Sequence, residues 1–428
     1  MPLQRQVSVS LPQQNCINNG ISVMEHANLT HLYSSTSKKA QPSAIREICK
    51  LIDKPNMKSL AGGWPDPVVF PGPEIAGLVS DIMKKNANFA LQYATTEGLL
   101  QLRQELCRLV DEKYNIQCDT DRILITHGAA QGMDLICRVM LDPGDAVIVG
   151  LPSYFGAFGS VRACSGQVIC VPVDHDGMHT SSLKKILQET AKQNIRVKAV
   201  YVIPNFQNPT GATLSMKRRK EILRIAHTND LLIFEDDPYG DLRFEGNALP
   251  SLISMDNSDR VIHLRSFSKI FSPGMRLGYA IGQKDIIRQM VVTKQYVDCA
   301  TNTLSQYILL EFIKTGMLDK RIKSNIKYYK KKRDYMLVQL KKYFPTQVKW
   351  NRPSGGFFIF IHLPEDIDAS ELLMEAVKHN VAFVAGQPFF ADGSGANTFR
   401  LSYSQASMDD IESAVERLGL LIKEKLIK

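Results

Sequence analysis

The sequence predicts an α/β protein whose large domain contains a mainly parallel, doubly wound, seven-stranded sheet. Short apolar runs rich in β-branched residues recur along the first 300 residues, and segments of helix-like composition separate several of them. After about residue 300 the pattern changes to long helical segments with two further strand-like runs. Strands that are buried on both faces and alternate with helices form parallel sheets. We therefore expect a doubly wound sheet followed by a smaller α+β domain.

Each predicted element follows from its local pattern. The seven predicted strands are RILIT (122–126), AVIVG (146–150), QVICVPV (167–173), VKAVYVI (197–203), LLIFEDD (231–237), VIHLRS (261–266) and LGYAIG (277–282). A helix is predicted between two of them at 215–228. The smaller domain is predicted from a basic helix at 321–342, the runs GGFFIFIHLP and FRLSYS, a helix at 369–379 and a closing helix.

These elements predict three segments. Residues 1–60 are expected to form an N-terminal arm and a helix that packs on the small domain; the first 40 residues, rich in Ser, Gln and Asn without periodicity, predict a mobile arm. Residues 61–300 are expected to form the large domain, and residues 301–428 the small one.

The composition is that of a soluble globular protein, with 44% hydrophobic and 22% charged residues in 428. The net charge of +9 is concentrated in residues 321–342, where apolar residues recur at helical spacing. We expect an amphipathic helix with a solvated basic face, and no nucleic-acid partner. No run approaches the roughly 20 apolar residues of a membrane span, so no membrane association is expected.

The eight cysteines contain no C-x-x-C pair, which predicts reduced, packed residues of an intracellular protein. A bridge between Cys164 and Cys170 is the alternative. Near the N-terminus, Pro2, Pro12 and a single basic residue, Arg5, argue against a transit peptide. The expected compartment is the cytoplasm.

The stretch SFSKIFSPGMRLG (266–278) places reactive and anion-binding residues after a strand. Ser266, Ser268 and Lys269 come at the carboxyl end of that strand, where open parallel sheets bind ligands. With Arg276, the two hydroxyls can bind a phosphate. A partly desolvated lysine beside a phosphate suits Schiff-base chemistry, which indicates pyridoxal phosphate as the cofactor. A solvated loop lysine is the alternative.

Two other strand ends carry polar clusters that suit the same cofactor. Asp236 and Tyr239 follow the run LLIFE, and Asn208 lies in an Asn-Pro-Thr-Gly turn after VKAVYVI. A carboxylate such as Asp236 can keep the pyridine nitrogen of the cofactor protonated. The Asn-Pro and Thr-Gly pairs alone are common in loops, but three polar clusters at three strand ends favour one site.

In order along the chain, NPTG, DDPY, SFSKIFSPGMRLG and FRLSYS resemble the class I/II aminotransferases, pyridoxal-phosphate enzymes of fold type I in the aspartate aminotransferase superfamily. The resemblance extends from about Ser59 to the closing helix. The stretches SLAGGWPDPVVFP, ALQYATTEGLLQLR and EDDPYGDLRF are similar to the branch of α-aminoadipate, kynurenine and aromatic aminotransferases.

The resemblance implies a role for each cofactor-binding residue. Lys269 is expected to bind the cofactor aldehyde covalently, Asp236 to pair with the pyridine nitrogen, Asn208 and Tyr239 to bind the phenolic oxygen, and Tyr154 to stack on the ring; Lys269, Asp236 and Tyr239 are the expected catalytic residues. The phosphate is expected to meet the helix N-terminus in HGAAQG and the side chains around it. The residues of this group are Ala129, Ala130, Ser266, Ser268, Arg276 and, from the neighbouring subunit of a homodimer, Tyr93.

Ala129 and Ala130 depart from the Ser or Gln that relatives often carry, so phosphate binding at these positions depends on backbone groups.

For the substrate, the resemblance implies that Arg400 binds the α-carboxylate with help from the backbone near Gly63, next to Asn208 and Tyr154. Arg46 is either a residue that binds the substrate side chain or a solvated helix residue, and Trp64 can reshape the pocket.

The implied activity is ping-pong transfer of the amino group of an α-amino acid to a 2-oxo acid such as 2-oxoglutarate, with the amine of Lys269 as general base. The expected donors are 2-aminoadipate, an aromatic amino acid or glutamate. Alternatives on the same fold are a C–S lyase, an aminocyclopropane-carboxylate synthase and a regulatory domain that binds the cofactor. A metal hydrolase is disfavoured because the nine histidines form no H-E-x-x-H motif.

Overall fold

A computed structural model describes residues 28–39 and 56–427. The chain divides into two compact units, Met1–Lys39 and Ala40–Lys428. The described part of the first unit contains a 3-10 helix, Thr30–Leu32, and helix α1, Ser35–Lys39. Most of the predicted N-terminal arm, and the predicted site residue Arg46, lie outside the described residues.

The second unit contains an eight-stranded sheet, a four-stranded sheet and a two-stranded pair. Its strands are β1 (Lys58–Ser59), β2 (Ile123–Thr126), β3 (Ala146–Leu151), β4 (Gln167–Asp174), β5 (Gly177–Met178), β6 (Val197–Val202), β7 (Leu232–Asp236), β8 (Val261–Ser266), β9 (Gly278–Ile281), β10 (Lys349–Trp350), β11 (Phe358–His362), β12 (Val381–Ala382), β13 (Val384–Ala385) and β14 (Thr398–Ser402).

The helices of the second unit surround these sheets. They are α2 (Gly72–Ala90), α3 (Leu100–Tyr114), α4 (Ala129–Met140), α5 (Phe155–Ala163), α6 (Thr180–Lys192), α7 (Met216–Thr228), α8 (Leu252–Met255), α9 (Lys284–Val297), α10 (Thr303–Lys314), α11 (Met317–Tyr343), α12 (Ala369–Lys378) and α13 (Met408–Ile427).

The large sheet has the strand order β2-β9-β8-β7-β6-β3-β4-β5. Strands β8, β7, β6, β3 and β4 pair in parallel, whereas β9 is antiparallel to both of its neighbours. The mainly parallel sheet is confirmed, and all seven predicted strands are present. The eighth strand, β5, pairs antiparallel with β4 and was not predicted, because two residues carry no periodic signal.

Both faces of the large sheet are buried, as a doubly wound fold requires. Along β3, Val147 belongs to one apolar cluster with Ile136 of α4, while its neighbour Ile148 belongs to another with Leu183 of α6. Successive side chains of a strand point to opposite faces, so the continuous apolar run of β3 packs against helices on each side. Both faces are therefore occupied, and a ligand must bind at the strand ends.

The four-stranded sheet has the order β10-β11-β14-β13 and is antiparallel throughout. In it, Phe360 of β11 lies opposite Arg400 of β14. The short strand β1 pairs in parallel with β12, so the segment that enters the second unit is anchored beside this sheet. The predicted boundary near residue 300, between a large and a small domain of this second unit, stays a prediction.

The basic helix is confirmed as α11, but its basic face is not fully solvated. Lys332 and Arg333 are buried, with 2% and 0% of their surface exposed. Lys332 Nζ lies 2.8 Å from Asp66 Oδ2, and Arg333 Nη2 lies 2.7 Å from Glu245 Oε1. The prediction was wrong at these positions because the acidic partners come from distant segments that the helical pattern does not reveal.

The six described cysteines are free thiols, so Cys164 and Cys170 are not bridged. Cys107 and Cys118 instead form the close pair, with 3.3 Å between their Sγ atoms. Over residues 28–39 and 56–427, no helix combines the length and the apolar character needed to cross a membrane.

Candidate active site

A cavity of about 250 Å³ lies at the carboxyl ends of β6, β7 and β8. Asp236 is the last residue of β7 and Ser266 the last of β8, so the sheet itself brings these side chains to one edge. The predicted site residues that line the cavity are Gly63, Ala129, Ala130, Tyr154, Asn208, Asp236, Tyr239, Ser266, Ser268, Lys269, Arg276 and Arg400.

Lys269 is a half-buried amine whose surroundings favour its neutral form. It ends a short 3-10 helix after β8, and its Nζ donates to the carbonyl oxygen of Gly63 at 2.8 Å. Burial, together with the positive charges of Arg400 and Arg276, lowers the pKa of Lys269 to about 8. At pH 7 roughly a tenth of this amine is therefore neutral and nucleophilic, far more than for a lysine with an ordinary pKa.

Asp236 is a buried carboxylate that is only half satisfied. Its Oδ2 accepts from the hydroxyl of Tyr201 at 2.7 Å, whereas its Oδ1 has no partner among the residues that the structure describes. Burial raises the pKa of Asp236 to about 6, although the hydrogen bond from Tyr201 opposes the shift. Burying an oxygen atom without a hydrogen-bond partner costs free energy, so Oδ1 is suited to a ligand that supplies a hydrogen-bond donor.

The turn between β2 and α4 forms an anion site with Arg276 and two serines. Gly128 precedes α4 with φ 80°, and it lines the cavity together with Ala129 and Ala130, the first two residues of this 12-residue helix, whose N–H groups have no partner within the helix. Arg276 Nη2 donates to the carbonyl oxygen of His127 at 2.8 Å, and its Nη1 lies 3.4 Å from Ser268 Oγ. The hydroxyl of Ser266 lies 3.0 Å from that of Ser268. A cation, hydroxyls and helix N–H groups thus converge where a phosphate can bind.

Residues behind this turn hold it in place. The side-chain oxygen of Gln131 accepts from the backbone N–H of His127 at 2.8 Å, and its Nε2 donates to Asp298 Oδ2 at 2.5 Å. Asp298 also binds Lys294, which is fully buried. The turn is therefore fixed to the end of α9, and its geometry does not depend on side chains at Ala129 and Ala130.

Arg400 is a fully buried guanidinium that lines the same cavity. Its Nη1 donates to Asn208 Oδ1 at 2.8 Å and its Nη2 to the carbonyl oxygen of Ala61 at 2.6 Å, whereas its Nε has no partner within residues 28–39 and 56–427. Its Cζ lies 4.0 Å from the ring centroid of Phe358, a cation–π contact. Burial lowers the pKa of Arg400 to about 10. Without a carboxylate partner, this cation is suited to an anionic ligand.

Two tyrosines form walls of the cavity. Tyr154 lies over Gly156, where an added Cβ would come within 2.5 Å of the tyrosine ring. Tyr239 packs edge-on against Phe358, with 5.6 Å between the ring centroids. Burial raises the pKa of both tyrosines, so their hydroxyls remain protonated and can donate hydrogen bonds.

The loop AGGWPD (61–66) borders the cavity and is held from behind. Trp64 lines the cavity with 41% of its surface exposed, and its carbonyl oxygen accepts from Ser404 Oγ at 2.6 Å. Asp66 accepts from Lys332 at 2.8 Å and from the hydroxyl of Tyr328 at 2.6 Å. The loop is therefore anchored to α11 and to the segment just after β14.

Two predicted residues are not in this cavity. Tyr93 is 85% exposed and does not line it. Arg46 lies outside the described residues.

Three residues that support the site were not predicted from the sequence: Tyr201, Gln131 and Asp298. A tyrosine inside an otherwise apolar strand was an available signal for Tyr201, because a buried hydroxyl needs a partner. No local pattern indicates that Asp298 supports a turn 167 residues earlier in the chain.

The sequence profile of the family described as aminotransferase class I and II matches residues 78–418. The chain belongs to the class I and II aminotransferases. This aminotransferase is 40% identical over 396 residues to aromatic-amino-acid aminotransferase 1 of Thermococcus litoralis. The alignment covers 92% of this chain and 95% of that protein. It is 35% identical over 403 residues to 2-aminoadipate transaminase of Thermus thermophilus. That alignment covers 94% of this chain and 98% of the relative.

A solved structure supports the same assignment for this aminotransferase. The crystal structure of kynurenine aminotransferase from Pyrococcus horikoshii in complex with PMP matches with a TM-score of 0.89 and 40% identity, covering 92% of this chain and 98% of that one. The fold is that of the fold type I aminotransferases, and the enzyme transfers amino groups with pyridoxal phosphate.

The residues in the cavity fit this cofactor. The unpartnered Oδ1 of Asp236 is an acceptor for a ring N–H, and the amine of Lys269 is a nucleophile for an aldehyde. The anion site at Gly128 and Arg276 suits a phosphate, and the unpartnered Nε of Arg400 suits a substrate carboxylate.

Proposed function

We propose that this aminotransferase moves the amino group of an α-amino acid to 2-oxoglutarate by a ping-pong mechanism. The observation that carries the proposal is the pairing of a weakly basic amine, Lys269, with a buried and incompletely bonded arginine, Arg400, in one cavity. The amine can exchange a proton near neutral pH, while the guanidinium can hold an α-carboxylate.

Lys269 is the proposed attachment point of the cofactor and the general base of the reaction. With substrate bound, its Nζ would take the proton from the substrate Cα, because an amine with a pKa of about 8 can both accept and return it. Pyridoxal phosphate, when bound, supplies the electron sink that makes this proton acidic. Asp236 Oδ1 would hold the pyridine N–H, and the hydroxyl of Tyr201 keeps the other oxygen in place.

The remaining cofactor contacts are proposed from the positions of the side chains. Asn208 and Tyr239 would bind the phenolic oxygen, and Tyr154 would stack on the ring. The phosphate would be held by the α4 N-terminus at Ala129 and Ala130 together with the nearby side chains. Those side chains are Ser266, Ser268 and Arg276.

Arg400 is the proposed α-carboxylate site, together with the backbone at Gly63. Fixing the carboxylate at one end and the ring at the other orients the Cα–H bond for removal by Lys269. Asn208 already contacts Arg400 at 2.8 Å, so it can keep the guanidinium in the orientation that a carboxylate needs.

The proposed donors are 2-aminoadipate or an aromatic amino acid, as the names of two relatives suggest, or glutamate, as the family resemblance implies. An aromatic donor is supported by the exposed ring of Trp64 at the cavity border. A dicarboxylic donor requires a further cation, for which Arg46 is the proposed residue on the basis of the family resemblance alone.

We also propose a cytoplasmic homodimer with the two-domain division predicted at residue 300. Free thiols at the six described cysteines support a reducing compartment. The exposed side chain of Tyr93 supports its assignment to the neighbouring subunit's phosphate site.

The test is the visible absorption of the purified protein with pyridoxal phosphate, compared between the wild type and Lys269→Ala. The wild type is expected to show a yellow band that a donor amino acid bleaches and 2-oxoglutarate restores, whereas Lys269→Ala forms no lysine-linked band. Product analysis separates the alternatives on the same fold, because a C–S lyase releases ammonia and a thiol together with its 2-oxo acid, whereas a transaminase passes the amino group to 2-oxoglutarate and forms glutamate. A wild-type protein that never turns yellow would contradict the proposal.

A further inference from the structure

Two cysteines outside the active site lie within reach of each other. Cys107 is part of α3, and Cys118 follows that helix before β2. Their Sγ atoms are 3.3 Å apart, and both side chains are half-buried. Neither residue lines the active-site cavity.

The end of α3 explains why the two thiols meet. The helix is capped by Asn115 in the left-handed conformation, with φ 53°, and its N–H donates to the carbonyl oxygen of Asp111. The chain then turns back along the helix, where the side chain of Gln117 donates to the carboxylate of Asp111. Farther on, Arg103 Nη1 donates to the carbonyl oxygen of Thr120 at 2.6 Å. The returning segment is thus tied to α3 on both sides of Cys118.

The surroundings of the pair give the two sulfurs different roles. The thiol of Cys118 donates a hydrogen bond to the sulfur of Cys107, which lowers the pKa of Cys107. Burial and the carboxylate of Asp119 oppose this shift, and Arg103 assists it. The flanking residues Gln117 and Asp119 are exposed, so a small oxidant can reach the pair. Cys107 is therefore the better nucleophile, and Cys118 is placed to resolve its oxidised form.

We propose that Cys107 and Cys118 form a peroxide-reactive thiol pair that closes reversibly into a disulfide. The Cys107 thiolate attacks hydrogen peroxide, so that an S–O bond forms, the O–O bond breaks and one water leaves after protonation. The sulfur of Cys118 then attacks the sulfenic sulfur of Cys107, and the S–S bond forms as the second water leaves. Two thiols lose two electrons and one peroxide becomes two waters. A low-molecular-weight thiol reverses the reaction by exchange.

The position of the pair predicts what closure changes. Cys118 precedes β2, whereas the phosphate turn at Gly128 follows the opposite end of that strand. Closure should therefore leave cofactor binding unchanged. Because a disulfide here restricts a short segment of the unfolded chain, we expect a rise in melting temperature of about 3 to 6 °C.

Tryptic mapping of the holoenzyme tests the proposal directly. Trypsin releases Cys107 in the fragment 104–108 and Cys118 in the fragment 114–122, and each fragment holds a single cysteine. After brief treatment with hydrogen peroxide and alkylation of free thiols, the two fragments should appear linked, with the mass of two hydrogens lost. Dithiothreitol should restore both free fragments, and the absorption of the bound cofactor should not change.

Two variants make the test specific. Cys299→Ser removes an exposed thiol elsewhere and should leave the link intact. Cys118→Ser should abolish it and leave Cys107 as a sulfenic acid that dimedone traps. The proposal is overturned if folded wild-type protein keeps Cys107 and Cys118 reduced while Cys299 is oxidised. It is equally overturned if the link forms only after unfolding in urea.

Discussion

Burial moves the protonation of Lys269 and Asp236 toward their neutral forms. The pKa of Lys269 falls to about 8 and that of Asp236 rises to about 6, so both lie close to neutral pH. An amine and a carboxyl group with ordinary pKa values would both stay charged at pH 7. The cavity therefore contains an amine, that of Lys269, which can lose its proton near neutral pH. It also contains a carboxyl oxygen, that of Asp236, which can accept a hydrogen bond from a ligand.

The shifted pKa of Lys269 predicts how fast the apoenzyme captures pyridoxal phosphate at different pH values. Below pH 8 the protonated, unreactive amine predominates and above pH 8 the neutral amine predominates, so the capture rate should rise with a midpoint near 8. Arg400→Gln removes a positive charge that helps lower this pKa, so the midpoint should move to higher pH. Stopped-flow absorbance of the yellow band measures both midpoints.

The control for Arg400→Gln is Arg196→Gln, which removes the same charge from a side chain that is 67% exposed at the start of β6. Its midpoint should equal that of the wild type, because solvent screens so distant a charge. Equal midpoints in all three proteins would show that Arg400 does not set the pKa of Lys269.

At the scale of single elements, the turn from β2 into α4 depends on Gly128. Its backbone has φ 80° and ψ 170°, a region that residues with a Cβ rarely adopt, and an added Cβ would lie 3.1 Å from Arg276 Nη2. Gly128→Ala should therefore cost about 1 to 3 kcal/mol in stability and displace Arg276. We expect at least a roughly tenfold rise in the dissociation constant for pyridoxal phosphate, which corresponds to about 1.4 kcal/mol.

Gly144 provides the matched control, because its φ is 93° but nothing lies within 4 Å of an added Cβ. Gly144→Ala should lower the melting temperature by a similar amount while the cofactor remains bound. If both variants lose the cofactor equally, backbone strain rather than the contact with Arg276 is responsible. Thermal melting and equilibrium dialysis distinguish the two effects.

The elements that could be predicted are those whose signal is local. Apolar runs defined the seven longer strands of the large sheet, and the polar residues directly after them identified Asp236, Asn208 and Lys269. Strand β5 was missed because it has only two residues. The errors at α11 have another cause, since burial of Lys332 depends on Asp66, which lies 266 positions earlier in the chain. An ion pair between residues so far apart in the sequence depends on the fold, and no local stretch of sequence predicts it.

At the scale of the whole molecule, the surface near residue 90 is unusually apolar. Phe89, Leu91 and Tyr93 are 68%, 72% and 85% exposed. Large apolar side chains grouped on a surface are typical of protein interfaces, which agrees with the proposed homodimer. Tyr93 would then complete the phosphate site of the neighbouring subunit.

Subunit exchange tests this role of Tyr93. Tyr93→Phe should weaken cofactor binding, and Lys269→Ala should be inactive. In a mixed dimer, the site with an intact Lys269 receives the intact Tyr93 of the other chain, so one native site is restored. Random exchange of equal amounts should recover about a quarter of wild-type activity.

The contrary result is equally clear. If Tyr93 serves the site of its own chain, no mixed dimer contains a native site and the mixture shows no gain over its separate components. Full activity of Tyr93→Phe alone would likewise contradict the assignment. Light scattering on each variant confirms that subunits are still paired before exchange.

The anchoring of the loop 61–66 has a mechanical consequence. The carbonyl oxygen of Trp64 is held by Ser404 just beyond β14, and Asp66 is held by Lys332 of α11. A shift of the loop relative to α11 or to the segment after β14 would break these bonds, whereas a joint shift would preserve them. The bonds hold the loop backbone and the Asp66 side chain, and they leave the half-exposed ring of Trp64 free to rotate about its own side-chain bonds. Widening the mouth of the cavity by a backbone movement is therefore coupled to distant parts of the fold.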